Sequence, residues 1–282
     1  MKGEIKAILK DIELKNNIKI LFSVESGSRV WGMESKNSDY DVRFVFIRPI
    51  NDYLKINKID EVIIDKASCT DFNFTKKRGL YARNGTELDF VGFDIYKFCK
   101  LLYDSNPTVI EWLMSSITYY GKIPEALITY AEMNHNRKSL FMHYKGMCKK
   151  NYIKYLKSKN LVTYKKYLYS MRGLINAVYC EEFPTMLPPI KLEDTIWDLE
   201  SRSKEIPKQI LNNVKKLIKL KKQGKEKNSI KNIIRLDNYI EGFLKEEGYK
   251  GQINYNVSNK KTLNQFILKK FNKNKNKNKT FI

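Results

Sequence analysis

The sequence predicts a mixed α and β fold (α+β or α/β), in which a small mixed-sheet domain is followed by an α-helical domain. Helical and strand-like hydrophobic patterns alternate over residues 1–94, whereas the chain from Pro124 onward has the pattern of amphipathic helices almost throughout. The basic charge is also concentrated in the second part. The predicted divisions are a first domain over 1–120, a basic helical domain over 121–250, and a flexible Lys/Asn-rich tail over 251–282.

The elements of the first domain follow from hydrophobic spacing. Residues 4–15 carry apolar side chains three and four apart, which predicts an amphipathic helix. Short apolar runs rich in β-branched and aromatic residues predict the strands, at 18–24, 42–47, 59–65 and 87–92. In the second part, similar helical spacing predicts two long helices, over 196–222 and 230–247.

Charge divides the chain unevenly. Residues 1–120 contain 18 Lys and Arg against 17 Asp and Glu, whereas residues 121–282 contain 35 against 14. An excess of this kind favours a polyanionic partner or substrate, such as RNA. An AT-rich coding sequence, which favours Lys and Asn codons, would produce the same bulk charge. The charge alone therefore does not establish nucleic-acid binding.

Several classes of protein lack support. Charges every few residues near the N-terminus exclude a signal peptide there, and no apolar run reaches the roughly 18 residues of a membrane span. Four cysteines without CxxC spacing predict free thiols, so we expect a soluble, cytoplasmic protein without a membrane partner. P-loop, esterase and zincin motifs are absent from the sequence, and His135 and His143 are expected to be structural or surface residues.

Three aspartates form the candidate catalytic centre. Asp39 and Asp41 open the strand 42–47, and residues two apart in a strand project to the same face. Neighbouring carboxylates repel each other unless a cation lies between them, and hard oxygen ligands suit Mg²⁺, with Mn²⁺ as a substitute. Asp89 lies within a strand, where an acid needs a ligand, whereas Asp94 precedes a helix and is expected to cap it. Asp89 is therefore the predicted third metal ligand.

A small-residue turn precedes the aspartates. Gly27 and Ser28 stand ten residues before Asp39, and such a turn lets backbone N–H groups approach a phosphate closely. Arg29 follows, and its guanidinium could bind a phosphate through two N–H groups. The alternative for Arg29 is a solvated surface side chain.

A second set of candidates lies in the helical part. Lys165, Tyr169 and Arg172 have i, i+4, i+7 spacing and therefore share one helix face. They could bind a triphosphate and stack against a base, or they could form an ordinary solvated stripe. Trp31 and Trp112 are expected to be packing residues.

These motifs resemble a known superfamily. Gly27-Ser28, ten residues and then Asp39-x-Asp41 resemble the signature of the DNA polymerase β-type nucleotidyltransferases, including the minimal nucleotidyltransferases. The segment 25–49 is more closely similar to predicted nucleotidyltransferases related to the RNA-ligase-associated nucleotidyltransferase family. Further similar blocks follow in the same order, at 88–102, 105–113 and 165–180.

The resemblance implies a palm-like catalytic domain. It implies Mg²⁺-dependent transfer of a nucleoside monophosphate from an NTP, for which we expect ATP, with release of pyrophosphate. It places Gly27 and Ser28 on the triphosphate, Asp39 and Asp41 on the metal, and Asp89 as the third carboxylate.

The acceptor of the reaction stays open at this stage. An RNA or DNA end fits the basic second half, whereas a hydroxyl on a protein fits the minimal nucleotidyltransferases, which would make the chain a protein AMPylator. A non-catalytic nucleic-acid-binding module that retains the fold is a third alternative. No motif specifies the base preference or the oligomeric state.

Overall fold

The computed structural model describes residues 1–36, 38–64, 75–77, 80–83, 86–225, 228–246, 248–251 and 259–278. The chain divides into two compact units. The first unit contains residues 1–27, 39–135 and 256–282, and the second contains residues 28–38 and 136–255. This division differs from the predicted boundaries at 120 and 250, because each unit is assembled from separated segments.

The elements up to residue 135 are α1 (Lys2–Asn16), β1 (Lys19–Ser26), β2 (Tyr40–Ile47), α2 (Ile50–Tyr53), β3 (Val62–Ile64), β4 (Thr75–Lys77), β5 (Leu80–Arg83), β6 (Thr86–Asp94), α3 (Ile95–Tyr103), α4 (Pro107–Leu113), β7 (Thr118–Gly121) and α5 (Glu125–Asn134). The later elements are α6 (Arg137–Tyr155), β8 (Val162–Thr163), α7 (Tyr164–Glu182), α8 (Leu192–Arg202), α9 (Lys208–Lys222), β9 (Ser229–Ile230), α10 (Ile234–Lys245) and α11 (Lys260–Asn278).

The first unit is built on one mixed sheet. Its strands run in the order β4-β5-β6-β2-β1-β7, and β3 also pairs with β6. β2 and β6 are parallel, whereas β1 is antiparallel to both β2 and β7. This arrangement confirms the predicted mixed sheet, and it places the strand that carries Asp41 directly beside the strand that carries Asp89.

Helix α1 covers one face of this sheet. Its apolar stripe, predicted from the spacing, is fully buried and consists of Ile5, Ile8, Leu9 and Ile12. These side chains pack in one cluster with alternate residues of the strands, among them Val42, Phe44 and Phe90. Burying each such side chain stabilises the fold by roughly 1.5–3 kcal/mol. The packing holds the three central strands in a fixed register.

The remaining strand residues pack against α3 and α4. Phe22 of β1 meets Phe98 of α3 edge to face, with ring centroids 5.7 Å apart. Trp112 of α4 is 1% exposed and stacks on Phe93 and Phe98, at 4.6 and 6.2 Å. Trp112 is therefore a packing residue, as predicted.

The second unit is helical around α7. Thirteen residues of α7 are buried, and α6 lies against it. A Cβ atom at Gly173 would stand 2.7 Å from the amide nitrogen of Cys148 on α6, so only glycine permits this close approach. The continuous helix predicted over 196–222 is wrong, because α8 ends at Arg202 and α9 begins after Pro207, whose ring disfavours a helical residue before it.

The segment near the C-terminus differs from the flexible tail predicted over 251–282. Residues 260–278 form α11 in the first unit. Leu263, Ile267 and Phe271 recur every four residues and are 3–8% exposed. The ring of Phe271 meets that of Tyr53 edge to face at 5.1 Å. This spacing gives α11 one apolar face, which is buried within the first unit.

Within the described part of the chain, no helix is both long and apolar enough to cross a membrane. Cys99, Cys148 and Cys180 are buried free thiols, as predicted, and Cys69 lies outside the described residues.

Candidate active site

The centre of the site is a pair of carboxylates on neighbouring strands. In the parallel register of β2 and β6, Asp41 stands directly opposite Asp89. The Nη2 atom of Arg43 lies between them, 2.9 Å from Oδ1 of Asp41 and 2.8 Å from Oδ2 of Asp89. The Nη1 atom of Arg43 donates to the carbonyl oxygen of Asp89 at 2.9 Å. One guanidinium therefore contacts and positions both carboxylates, and its single positive charge offsets one of their two negative charges.

Gly27 fixes the position of Asp41 from the other side. Its φ of +70° lies in the left-handed region, and a Cβ atom there would stand 1.9 Å from Oδ2 of Asp41. The carboxylate thus occupies the space that a side chain at position 27 would need. Gly27 also begins the 3₁₀ turn Gly27–Arg29 that follows β1.

A buried glutamate anchors the start of β2. Glu25 of β1 is 0% exposed, and its Oε1 accepts a hydrogen bond from the amide of Asp41 at 2.9 Å. The hydroxyl of Tyr119 donates to Oε2 of Glu25, and Ser115 donates to its carbonyl oxygen at 2.7 Å. A buried carboxylate needs such donors. This network sets where the backbone of Asp41 lies.

Asp39 is placed differently from the other two aspartates. It precedes β2, and its Oδ1 accepts from the amide of Glu87 at 3.3 Å, which links it to the beginning of β6. Among the residues described, no group of three or more His, Cys, Asp or Glu side chains is arranged to hold a metal ion. The predicted set of Asp39, Asp41 and Asp89 is thus brought to one region of the sheet without forming a three-carboxylate cluster.

The donor chemistry of the pair nevertheless fits a divalent cation. The side chains of Asp41 and Asp89 are 32% and 31% exposed, so both are accessible, and carboxylate oxygens are the ligands that Mg²⁺ prefers. Arg43 now supplies the positive charge between them. A metal bound by this pair would therefore have to replace the charge of Arg43.

Asp94 has a structural role, which distinguishes it from Asp89. It lies at the opposite end of β6, in register with Phe46, and is 0% exposed. Its side chain caps α3 by accepting from the amide of Tyr96 at 2.9 Å, and the hydroxyl of Tyr53 donates to it at 2.5 Å. Burial raises the pKa of Asp94 above its ordinary value, and these two hydrogen bonds oppose the shift. The predicted capping role is confirmed.

Ser28 and Arg29 belong to the second unit, in the loop 28–38. Ser28 is 8% exposed, and its carbonyl oxygen accepts from the amide of Met33 at 3.0 Å. The Nη2 atom of Arg29 donates to the carbonyl oxygen of Ser38 at 2.5 Å. Arg29 thus holds the loop closed, and its predicted contact with phosphate stays a prediction.

The second candidate set forms a row on α7, as its spacing predicted. The Nζ atom of Lys165 lies 5.7 Å from the ring centroid of Tyr169, and Trp31 meets Tyr169 edge to face at 6.0 Å. The guanidinium carbon of Arg172 lies 3.8 Å from the ring centroid of Trp31. Arg172 is only 3% exposed, so the alternative of a solvated stripe is wrong for this residue. Trp31 packs in this row.

Sequence reasoning missed two residues of the site, Arg43 and Glu25. A signal for Arg43 was present, because it lies two residues after Asp41 and therefore on the same face of β2. No comparable signal marked Glu25, since its partners Ser115 and Tyr119 are about ninety residues away along the chain.

Two known proteins are similar to this chain. The "Uncharacterized protein YcgL" of Bacillus subtilis (strain 168) is 33% identical over 194 residues, which cover 67% of this chain and 66% of that protein, slightly less than two thirds of its length. A nucleotidyltransferase-like protein from Exiguobacterium sibiricum 255-15 has a solved structure that matches 78% of this chain and 75% of its own, at 11% identity and a TM-score of 0.26. A score this low carries no argument about the fold.

The family comparison extends over almost the whole sequence. Residues 1–269 match the RNA repair pathway DNA polymerase beta family. The match includes the Gly-Ser turn, all three aspartates and the row on α7, and it confirms the resemblance drawn from the motifs. The chain therefore belongs to the RNA repair pathway DNA polymerase beta family.

Proposed function

We propose that this chain is a metal-dependent nucleotidyltransferase that moves a nucleoside monophosphate from an NTP to a hydroxyl group. The single observation that carries the proposal is the pairing of Asp41 with Asp89 across two parallel strands. Gly27 and Glu25 hold Asp41 from two sides, so the pair is positioned before any ligand binds. Phosphoryl-type transfer depends mainly on such positioning and on electrostatics. Family membership supports the same chemistry.

In the proposed reaction the oxygen of the acceptor hydroxyl attacks the α-phosphorus of the NTP. The new P–O bond forms as the bond to the bridging oxygen of the β-phosphate breaks, and pyrophosphate leaves with that electron pair. The hydroxyl proton passes to solvent. Mg²⁺ or Mn²⁺ would supply charge neutralisation on the triphosphate and lower the pKa of the hydroxyl.

Different residues of the chain would have different roles in the proposed reaction. Asp41 and Asp89 would hold the metal, with Asp39 as the third carboxylate. Gly27 begins the turn whose backbone N–H groups would approach a phosphate. Ser28, Arg29, Lys165, Tyr169 and Arg172 are the proposed nucleotide-binding residues. ATP is the proposed donor, and an RNA end is the proposed acceptor.

The test is an assay of label transfer from α-labelled NTPs in the presence of Mg²⁺, with total RNA and lysate protein offered as acceptors. Asp41→Asn preserves the shape of the side chain and removes its charge, so we expect transfer to fall by at least about 100-fold. Asp11→Asn is the matched control, because Asp11 is 34% exposed and forms an ion pair in the same unit. Unchanged transfer by Asp41→Asn would show that the assignment is wrong.

The labelled product identifies the acceptor. Label in RNA supports the proposal, whereas label in protein replaces the RNA end by a protein hydroxyl. If the unaltered chain transfers nothing from any of the four NTPs, the catalytic proposal fails and a binding module takes its place.

A further inference from the structure

The longest acid-free stretch of the second unit surrounds a half-buried tyrosine. Residues 136–180 contain eleven Lys and Arg and no Asp or Glu. Within that stretch, α6 ends at Tyr155 and α7 begins at Tyr164, and both helices bring lysines to the same aromatic ring. We name the four residues Lys150, Lys154, Tyr155 and Lys166 the lysine–tyrosine cluster.

The geometry of the cluster is specific. The Nζ atom of Lys166 lies 3.6 Å from the ring centroid of Tyr155, and that of Lys154 lies 5.0 Å away. A hydrogen bond from Lys154, followed by the charge of Lys166, lowers the pKa of the Tyr155 hydroxyl, and Lys150 contributes in the same direction. Two ammonium groups therefore lie near one half-buried aromatic ring, and Lys150, one turn before Lys154 on α6, adds a third positive charge nearby.

In the described part of the chain, none of the three lysines of the cluster forms an ion pair with a carboxylate. Some lysines elsewhere in the second unit do. Lys215 pairs with Glu200 at 2.5 Å, and Lys222 pairs with Glu193 at 2.7 Å. Like charges close together repel each other and destabilise the folded chain. In this respect the cluster differs from Lys215 and Lys222 of α9.

Local structural roles explain only part of the cluster. Lys154 is in the last turn of α6, where the helix dipole favours a cation. Lys166 is in the first turn of α7, where the same effect disfavours a cation, and that turn contains no acid. A cation over an exposed ring contributes only about a factor of two to five in an equilibrium. An anion from outside the chain would offset the unfavourable position of Lys166.

We propose that the lysine–tyrosine cluster binds single-stranded nucleic acid, with one base stacked on Tyr155 and the phosphates of neighbouring nucleotides paired with Lys150, Lys154 and Lys166. Surfaces that bind single strands combine aromatic rings with a basic track in this way. This inference rests on the proposed function, because the bound strand would be the polynucleotide acceptor of that reaction. Exposed Lys157 and Lys159, between the two helices, extend the basic track.

The test measures binding alone, with EDTA and without NTP. Fluorescence anisotropy measures binding of the full chain to two labelled strands. One is an oligoadenylate of about twelve nucleotides, and the other is an abasic strand of equal length. Tyr155→Ala should weaken oligoadenylate binding roughly 5- to 100-fold and leave the abasic strand unchanged, whereas Tyr155→Phe should bind both strands as the unaltered chain does.

Salt dependence tests the lysines. The double variant Lys154→Ala/Lys166→Ala should reduce the slope of log K against log salt by about 1.4, since each lost phosphate contact on a single strand removes roughly 0.7. The control is Lys216→Ala/Lys219→Ala, which removes two exposed lysines from α9 in the same unit and should leave the slope unchanged.

Three results would overturn the inference: no binding of oligoadenylate, equal weakening of both strands by Tyr155→Ala, or equal slopes in the two double variants. Equal weakening would indicate a charge-only surface, such as one for an acidic protein. None of these results bears on label transfer, which is measured separately and with Mg²⁺ present, so failure here and failure of the catalytic proposal are distinguishable.

Discussion

The carboxylate pair of the first unit and the lysine–tyrosine cluster of the second both place like charges side by side. Among the described residues, the pair has an opposite charge between its members, whereas the cluster has none in ion-pair contact. Arg43 contacts both Asp41 and Asp89, whereas Lys154 and Lys166 of the cluster meet at the ring of Tyr155. The pair can therefore keep its geometry without a ligand. The cluster combines several like charges, so an anion from outside the chain would lower its electrostatic energy.

The largest effect is expected from Gly27→Ala. The added Cβ atom would collide with Oδ2 of Asp41, and a displacement of about 1 Å in a catalytic group lowers turnover roughly 100-fold. Gly224→Ala is the matched control, because its φ is also positive, at +79°, but nothing lies within 4 Å. It should lose only the roughly 1–2 kcal/mol of backbone strain. Label transfer and urea unfolding measure the two effects. Equal transfer by both variants would show that Asp41 does not need its present position.

The next effect concerns Arg43. Arg43→Gln leaves the two carboxylates without their shared cation, so we expect the free energy of unfolding in EDTA to fall by about 1–2 kcal/mol. Mg²⁺ should then raise the melting temperature of the variant more than that of the unaltered chain, because a metal ion can take the place of the lost charge.

Arg202→Gln is the control for that experiment. Arg202 forms an ion pair with Asp198 at 3.7 Å on α8 and is remote in sequence from the aspartates. Its melting temperature should respond to Mg²⁺ as the unaltered chain does. An equal Mg²⁺ response in Arg43→Gln would mean that Arg43 and the metal do not compete.

Asp94 is a third kind of carboxylate for the comparison. It lies in the first unit like Asp41 and Asp89, but its side chain accepts a hydrogen bond from Tyr53. Because burial raises its pKa above 3.8 in the folded chain, the folded chain binds this proton more tightly than the unfolded chain does. Its contribution to stability is therefore complete below 3.8 and is lost as the pH rises through the folded pKa. Asp94→Asn cannot ionise and retains the cap.

Urea unfolding between about pH 4 and pH 7 checks this prediction. The stability of Asp94→Asn relative to the unaltered chain should increase with pH over this range. Asp11→Asn, at an exposed position on α1, should not show that trend. A difference that stays constant with pH would contradict the prediction.

The smallest effect is expected from Lys150→Gln in the cluster. Lys150 and Lys154 are four residues apart on α6, where two like charges destabilise a helix by about 0.2–0.5 kcal/mol, so the variant should be more stable by that amount. Lys15→Gln on α1 should be less stable, because Lys15 pairs with Asp11 four residues away. Thermal melting at low salt measures both shifts, and high salt should reduce both. A loss of stability in Lys150→Gln would mean that its charge is already compensated.

Much of the fold could be predicted from local sequence patterns. The apolar spacing of α1, the strands around Asp41 and Asp89, and the cap at Asp94 depend on neighbouring residues, and all are confirmed. The register that sets Asp41 opposite Asp89 is a property of two strands almost fifty residues apart, which no local pattern specifies. The partners Ser115 and Tyr119 of Glu25 are farther still along the chain, at about ninety residues.

Two errors had local causes. The Lys/Asn run after Phe271 suggested a solvated tail, although Leu263, Ile267 and Phe271 before it have the four-residue spacing of a buried helix face. Apolar spacing continues on both sides of Pro207, so the spacing alone predicts one continuous helix where the structure has two.

The place of α11 in the chain has a consequence for synthesis on the ribosome. α5 ends at Asn134 and α11 begins at Lys260, so the whole of 136–255 is translated between them. At typical translation rates that interval lasts roughly 6–25 seconds. Throughout it, the nascent first unit lacks the helix whose Phe271 contacts the rings of Tyr53 and Tyr96. Until translation of the helix is complete, the parts of these two rings that Phe271 contacts are open to solvent.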